Sequence, residues 1–243
     1  MNKKIRLDKF LVEKLNVPTR NKACFLIQDN KIKINNRIIN KPSYLISEND
    51  QIEIEKSKQY VSRGAFKLKE AIEKFGVNLE GKIVLDIGSS TGGFAQILLE
   101  NNVKKIYCLD VGINQLDSSL KINNKIVNLE NNNFIKSNKT QFFDINFITC
   151  DVSFISIKKI LNKIKEMNFK YISGIFLLKP QFELSQKEIK EGKGRVKEKY
   201  LPIVIDEFKN FCLNKQIKIK KIIQSPIKGF KKNNIEYLVY LDF

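Results

Sequence analysis

The stretch Gly81-Lys82-Ile83-Val84-Leu85-Asp86-Ile87-Gly88-Ser89-Ser90-Thr91-Gly92-Gly93-Phe94 decides the fold. An apolar run comes first, then a Gly-rich turn, then residues that suit a helix. A strand ending in such a turn is the layout of a nucleotide-type cofactor site at the carboxyl end of a parallel strand. The glycines do not follow a strict G-x-G-x-x-G pattern. No Gly-Lys-Ser/Thr closes the turn as in a P-loop. Asp110 narrows the choice. It ends the next predicted strand, about 20 residues on, where a carboxylate can accept both hydroxyls of a ribose. A ribose-bearing cofactor such as S-adenosylmethionine or NAD fits. Asp86 is placed for the amino-acid end of the former, directly or through water. Gly88, Ser89, Ser90, Thr91, Gly92, Gly93, Phe94 and Val111 complete the predicted cofactor site.

Strand and helix patterns alternate through the rest of the chain. Strands are predicted at 83–88, 105–110, 125–129, 147–151, 172–179, 217–224 and 235–241. Helices are predicted near 92–101, 114–123, 157–167 and 201–215. Such alternation implies an α/β fold, with a mostly parallel sheet covered on both faces. The short loop Ser225-Pro226-Ile227-Lys228-Gly229 makes the last two strands antiparallel neighbours. That ending departs from a plain dinucleotide-binding fold and suits a class I methyltransferase with a seven-stranded Rossmann-like sheet. Ahead of it, Phe66, Leu68, Ala71, Ile72 and Phe75 form the apolar face of a helix ended by Gly76.

The amino-terminal residues have a different character. Leu7, Phe10, Leu11 and Leu15 fall on one helical face within residues 5–15. Thr19 is placed to cap a second helix that buries Ala23, Leu26 and Ile27. The period then changes to two at Ile32 and Ile34, with a turn at Asn35-Asn36, a strand resuming at Ile38, and another alternating strand at Ile52-Glu53-Ile54. These residues predict a small α+β domain over 1–56. A linker follows at 57–62, and the larger domain spans 63–243.

Charge and composition bound the function. Lys plus Arg number 44 against 26 acidic residues, a net charge of +18, which points to a polyanionic partner such as nucleic acid. With no His, and no C-x-x-C pair among Cys24, Cys108, Cys150 and Cys212, no metal site is expected. Scattered cysteines in apolar surroundings suit a reducing cytosol. No apolar stretch approaches the roughly 20 residues of a membrane span. Met1-Asn2-Lys3-Lys4-Ile5-Arg6 lacks the apolar core of a signal peptide. The expected location is cytoplasmic, away from membranes.

Four more residues carry chemistry. Asp151 and Lys179 stand at predicted strand ends, Glu236 early in the last strand, and Lys67 on the helix packed beside the sheet. In an open parallel sheet the carboxyl-terminal strand ends face one crevice. Two lysines and two carboxylates there can activate a ribose 2′-hydroxyl, a poor nucleophile that needs a base. An ordinary Lys has a pKa of about 10.4 and stays charged. A second ammonium about 4 Å away adds some 4 kcal/mol of repulsion at an effective dielectric of about 20, and burial pushes the same way. Lys179 is the expected base and Asp151 orients it. Lys67 and Glu236 tune it and position the ribose.

Residues 1–56 resemble the S-four RNA-binding domain through Arg6-Leu7-Asp8-Lys9-Phe10-Leu11, Thr19-Arg20-Asn21-Lys22-Ala23, Lys33-Ile34-Asn35-Asn36 and Ile52-Glu53-Ile54. The resemblance implies RNA contacts at Arg6, Lys9, Arg20 and Lys22. The whole chain resembles the TlyA (hemolysin A) family, an S-four domain joined to an FtsJ-like RNA methyltransferase domain. The strings that carry it are Tyr60-Val61-Ser62-Arg63-Gly64, Asp86 to Phe94, Leu109-Asp110-Val111-Gly112, Gln115-Leu116-Asp117, Asp151-Val152-Ser153-Phe154-Ile155-Ser156, Lys179-Pro180-Gln181-Phe182-Glu183 and Asn234-Ile235-Glu236-Tyr237. It maps the family's Lys-Asp-Lys-Glu tetrad onto Lys67, Asp151, Lys179 and Glu236, and adds Arg63 to the RNA-binding set. It implies S-adenosylmethionine-dependent methylation of a cytidine 2′-hydroxyl, with ribosomal RNA or ribosomal subunits as partner. Ala65-Phe66, Ile113 and the run Gly192-Lys193-Gly194-Arg195-Val196-Lys197 depart from the family's usual residues. A non-catalytic RNA-binding factor and a membrane-active hemolysin are the competing readings. Oligomeric state is not legible.

Overall fold

In the computed structural model, which describes residues 4–47, 49–55, 60–142, 144–229 and 232–243 apart from the side chain of Asn21, the chain divides between Ser62 and Arg63 into two units. In the first, Ile5–Arg6 (β1) runs into Leu7–Lys14 (α1), followed by Arg20–Gln28 (α2), Ile32–Ile34 (β2), Arg37–Ile38 (β3), Leu45–Ile46 (β4) and Ile52–Ile54 (β5). Thr19 caps α2 by accepting the Lys22 N–H. Asn35 and Asn36 both take left-handed backbone angles, as a two-residue hairpin turn between β2 and β3 requires. Leu7, Leu11, Ala23, Leu26, Ile27, Ile32, Ile34 and Ile46 form the core.

Two expectations for this unit need correction. Ile5 and Arg6 are not helical, because they pair antiparallel with Ile46 and Leu45. Leu15 is exposed, because α1 ends at Lys14 and the chain turns before Leu15 can return to the buried face; Val17 joins the core instead.

The second unit opens with Gly64–Phe75 (α3), ended by Gly76 at φ 66°, whose N–H bonds to the Ile72 carbonyl. Then come Ile83–Ile87 (β6), Gly93–Glu100 (α4), Lys105–Leu109 (β7), Ser118–Lys121 (α5), Ile126–Leu129 (β8), Phe147–Cys150 (β9), Ile157–Met167 (α6) and Ser173–Leu178 (β10). Gln186–Glu191 (α7), Leu201–Asn214 (α8), Lys218–Gln224 (β11) and Tyr237–Asp242 (β12) complete it. The sheet order is β11-β12-β10-β9-β6-β7-β8, with β12 antiparallel to both neighbours and the other pairings parallel. Chain order runs outward from β6 to β8, then returns to β9 on the other side. The strand order therefore reverses between β6 and β9, where doubly wound sheets bind ligands.

Helix α5 is much shorter than the expected span 114–123. The N–H groups of Asn114, Gln115 and Leu116 donate to the Glu130 carboxylate instead, and Asp117 caps the short helix that follows. Helix α7 was not expected, although Ser185 and Glu188 form a capping box visible in the sequence. Ile148, Cys150, Phe176, Leu178, Phe208 and Val239 belong to the core that holds the sheet to α6 and α8.

Candidate active site

Each of the four chemistry-bearing residues reaches the same sheet edge by a different route. Asp151 directly follows β9 and Lys179 directly follows β10. Glu236 directly precedes β12, which is antiparallel, so its amino-terminal end lies at the carboxyl-terminal end of β10 (Leu178 pairs with Tyr237). Lys67 comes from α3, which packs on β12 and α4.

Charges alternate along this array. Lys67 Nζ lies 2.8 Å from Glu236 Oε2 and 3.4 Å from Asp151 Oδ2, and Lys179 Nζ lies 2.6 Å from Asp151 Oδ1. The Lys179 side chain also donates to Ser153 Oγ at 3.1 Å. Lys67 is 8% and Glu236 3% exposed. Burial pushes the Lys67 pKa down, but Asp151 and Glu236 outweigh it, and the net shift is upward. Burial likewise pushes Asp151 up, and Lys67 and Lys179 overcome it, holding the carboxyl at about 2. Lys67 is therefore the fixed cation of the set.

The Gly-rich turn lies against the same edge. Gly88 takes φ 81°, and a Cβ there would sit 2.9 Å from the Asp151 carbonyl oxygen. Only glycine lets the β6 turn approach β9 so closely. Gly92 is left-handed at the start of α4, and its N–H bonds to the Ser89 carbonyl. Ser89 and Phe94 are buried, and the Thr91 carbonyl accepts the Asp117 N–H. Asp110 accepts from Ser90 N at 2.8 Å and Gly112 N at 2.7 Å, so it ties the two loops together. Each of its oxygens keeps a further lone pair for a ribose hydroxyl.

Exposed Val111 lines a cavity of about 480 Å³ with Asn131, Asn132, Asn133, Lys136 and Gln141. Its amides suit the base of a nucleoside. Sequence reasoning missed these asparagines, although the run Glu130-Asn131-Asn132-Asn133 directly follows β8.

Asp86 Oδ1 accepts from Thr149 Oγ1 at 2.7 Å, while the buried Oδ2 has no partner among the described residues. Such an orphaned acceptor fits the ammonium end of S-adenosylmethionine, reached directly or through water. Together with the Gly88 approach and the polar cavity beside Asp110, it makes the residues compatible with that cofactor. Burial raises the Asp86 carboxyl to about 7; the Thr149 hydrogen bond opposes this, and Asp151 and Asp110 add to it. Because the folded-state value lies above the ordinary 3.8, the stabilising effect of the proton is complete below about pH 4 and is lost as pH rises through about 7. Asp86→Asn keeps an acceptor for Thr149 and cannot ionise. Between about pH 4 and pH 8 it should gain stability relative to the parent, by up to about 4 kcal/mol. Denaturant melts across that range check this, and parallel profiles would contradict it. Asp151, with its lowered value, loses its contribution only as pH falls from about 4 toward 2, outside that window.

Two aromatic rings stand beside the array. Phe154 is 84% exposed and has φ 65°, a backbone angle that a bulky residue rarely adopts. Its ring lies 5.4 Å from that of Phe182, which in turn lies 5.9 Å from Lys179 Nζ. Gln181 is another residue the sequence reading missed; its Nε2 donates to Glu236 Oε1 at 3.4 Å.

In the first unit, Arg6 and Arg20 converge on the buried Asp8. Arg6 donates through Nε and Nη2 at 3.0 and 2.9 Å, and Arg20 through Nε at 2.9 Å. The Arg6 hydrogen bond leads in holding the Asp8 carboxyl at about 2; burial opposes it and Arg20 adds to it. Lys9 is exposed. Lys22 is turned inward and donates to the Tyr60 carbonyl at 2.6 Å. Arg63 belongs to the second unit, at the start of the helix that carries Lys67.

The FtsJ-like methyltransferase family model matches residues 60–243, and the S4 domain model matches residues 5–52. The chain is 37% identical to the Campylobacter jejuni 23S rRNA (cytidine-2'-O)-methyltransferase TlyA, across 97% of this chain and 98% of that protein. It is 38% identical to Hemolysin A of Brachyspira hyodysenteriae, across 97% and 99%. A solved Streptococcus thermophilus structure of the hemolysin type superposes with a TM-score of 0.76 at 31% identity, covering all of this chain and 89% of that one. The chain belongs to the FtsJ-like methyltransferases, in the branch with an S4 domain that includes the TlyA and hemolysin A proteins.

Proposed function

We propose that this protein methylates the 2′-hydroxyl of a cytidine in ribosomal RNA, using S-adenosylmethionine. The observation that carries the reading is the alternating array Glu236–Lys67–Asp151–Lys179 beside the Gly88 turn. The Campylobacter relative, named for that reaction, supports the choice of substrate.

When bound, the cofactor supplies a methyl group activated by its sulfonium. The chain's own residues do the rest. Lys67 is held charged between two carboxylates, which leaves Lys179 to act as the base. Asp151 orients Lys179, whose amine in its uncharged form takes the 2′-hydroxyl proton as the ribose oxygen gains the methyl group and the methyl–sulfur bond breaks. Positioned general bases contribute about 10²- to 10⁴-fold, and alignment of the reacting atoms adds to this. Lys67 and Glu236 keep the base in register, and Phe154 offers a face on which the target base can stack.

Arg6, Lys9, Arg20 and Arg63 give phosphate contacts, which supply affinity rather than sequence choice. Lys22 joins that set only by releasing the Tyr60 carbonyl. A reducing, cytoplasmic location suits such a substrate and the four free cysteines. No helix among the described residues is long and apolar enough to cross a membrane.

The test is to incubate purified protein and cofactor with 16S and 23S rRNA, as transcripts and as ribosomal subunits, and to map 2′-O-methyl groups. Protection of cytidine linkages from alkaline cleavage is expected. Methyl incorporation into bases, or none at all, would overturn the reading.

A further inference from the structure

We propose that the turn at residues 192–197 grips the phosphodiester backbone of the RNA strand beside the nucleotide being methylated, through Lys193 and Arg195. This rests on the RNA methyl-transfer reading above.

The turn is rigid. Helix α7 closes with Lys193 N bonded to the Lys190 carbonyl and Gly194 N bonded to the Ile189 carbonyl, a Schellman ending. Arg195 N then returns to the Gly192 carbonyl at 2.9 Å. The buried Asn234 side chain clasps the far side: its Oδ1 accepts the Val196 N–H at 2.8 Å and its Nδ2 donates to the Gly194 carbonyl at 3.2 Å. Asn234 stands two residues before Glu236, so the turn is anchored to the strand entrance that delivers a carboxylate to the tetrad.

Its charges are sorted. Glu191 binds Lys197 at 2.7 Å and Lys199 at 3.0 Å, and also the Tyr200 hydroxyl. Lys193 and Arg195 are exposed and enter no ion pair among the described residues. Exposed Lys232 lies alongside, its Cε 3.3 Å from where a Gly194 Cβ would be. Acidic partners are thus spent on the base of the turn, and its tip keeps its positive charge.

Lys193 also occupies a place that favours glycine. A Schellman ending sets its first non-helical residue left-handed, and Lys193 has φ 52°. Most other non-glycine residues with positive φ among the described residues are asparagines, the residue type that tolerates the conformation best. Of the four others that are not, Ser90 and Phe154 belong to the cofactor loop and the tetrad edge. A lysine kept under strain at the tip of a clasped turn serves a bound anion, because folding alone would favour Gly or Asn there.

The experiment uses the full chain carrying Lys193→Gly and Arg195→Gln. A control removes two exposed lysines at the opposite, amino-terminal edge of the sheet, Lys170→Gln and Lys215→Gln. With unmethylated 23S rRNA as probe, the turn variant should melt no lower than the parent and bind cofactor equally well. Its KM for RNA should rise at least tenfold at 150 mM salt, with the loss falling on KM rather than kcat. Its plot of log KM against log salt should be shallower by about 1.5, the release expected for two phosphates. The control should shift KM less than twofold. An unchanged KM and slope, or a loss that the control matches, overturns the grip. Absence of methyl transfer by the parent overturns the reading on which it rests.

Discussion

Lys179→Ala should lower methyl transfer by about 10²- to 10⁴-fold, the range that a positioned general base supplies. Cofactor affinity should stay within severalfold, because the Lys179 side chain bonds to Asp151 and Ser153 and lies near the Phe182 ring rather than on the Gly88 turn. The fold should also persist. Asp151, left with one partner, still faces Lys67 at 3.4 Å. Tritium transfer to ribosomal subunits reads the first effect, and calorimetry with the cofactor reads the second. A variant that retains full activity would remove Lys179 from the base role. One that loses cofactor binding as steeply as activity would make it a binding residue.

Lys67→Met should act first on stability. Glu236 is almost completely buried and holds Lys67 at 2.8 Å; without it, the partner left to Glu236 among the described residues is the Gln181 amide at 3.4 Å. Removing one member of a buried pair leaves an uncompensated charge and costs about 3–5 kcal/mol. For a unit of this size that is a fall of roughly 10 °C in melting midpoint. Adding Glu236→Gln to Lys67→Met should recover much of the loss, since removing both partners of a buried pair is often near neutral. Thermal melts of the two variants against the parent decide the matter. A Lys67→Met protein as stable as the parent would mean that water reaches the pair. Neither variant should transfer methyl groups efficiently, because Lys67 is the cation that keeps Asp151 ionised and in place.

Much of the fold is legible in the residues because its signals are local. The β6 strand and its turn announce themselves by an apolar run followed by glycines. Helix α6 lies where its apolar period places it, at Ile157–Met167. Thr19 caps the second helix as its side chain predicts. Failures arise where a distant partner outbids the local preference. Glu130 draws the Asn114, Gln115 and Leu116 N–H groups out of a helix. Ile46 draws Ile5 into a strand. The strain at Phe154 and Lys193, the inward turn of Lys22, and the cavity beside Val111 leave no periodic trace.

By itself the sequence determined which residue types are present in a pattern that could bind a nucleotide cofactor and RNA, and that the larger unit is a strand-helix alternation. Tertiary structure alone decided that Lys67 is the cation locked between Glu236 and Asp151, and that Lys179 shares Asp151 with it. The reason is distance along the chain. These side chains are separated by up to 169 positions and meet only because an antiparallel last strand starts at the edge where parallel strands end. Periodicity and capping act within a few residues, whereas the charge state of a buried group is set by whichever atoms the folded sheet brings within about 4 Å of it.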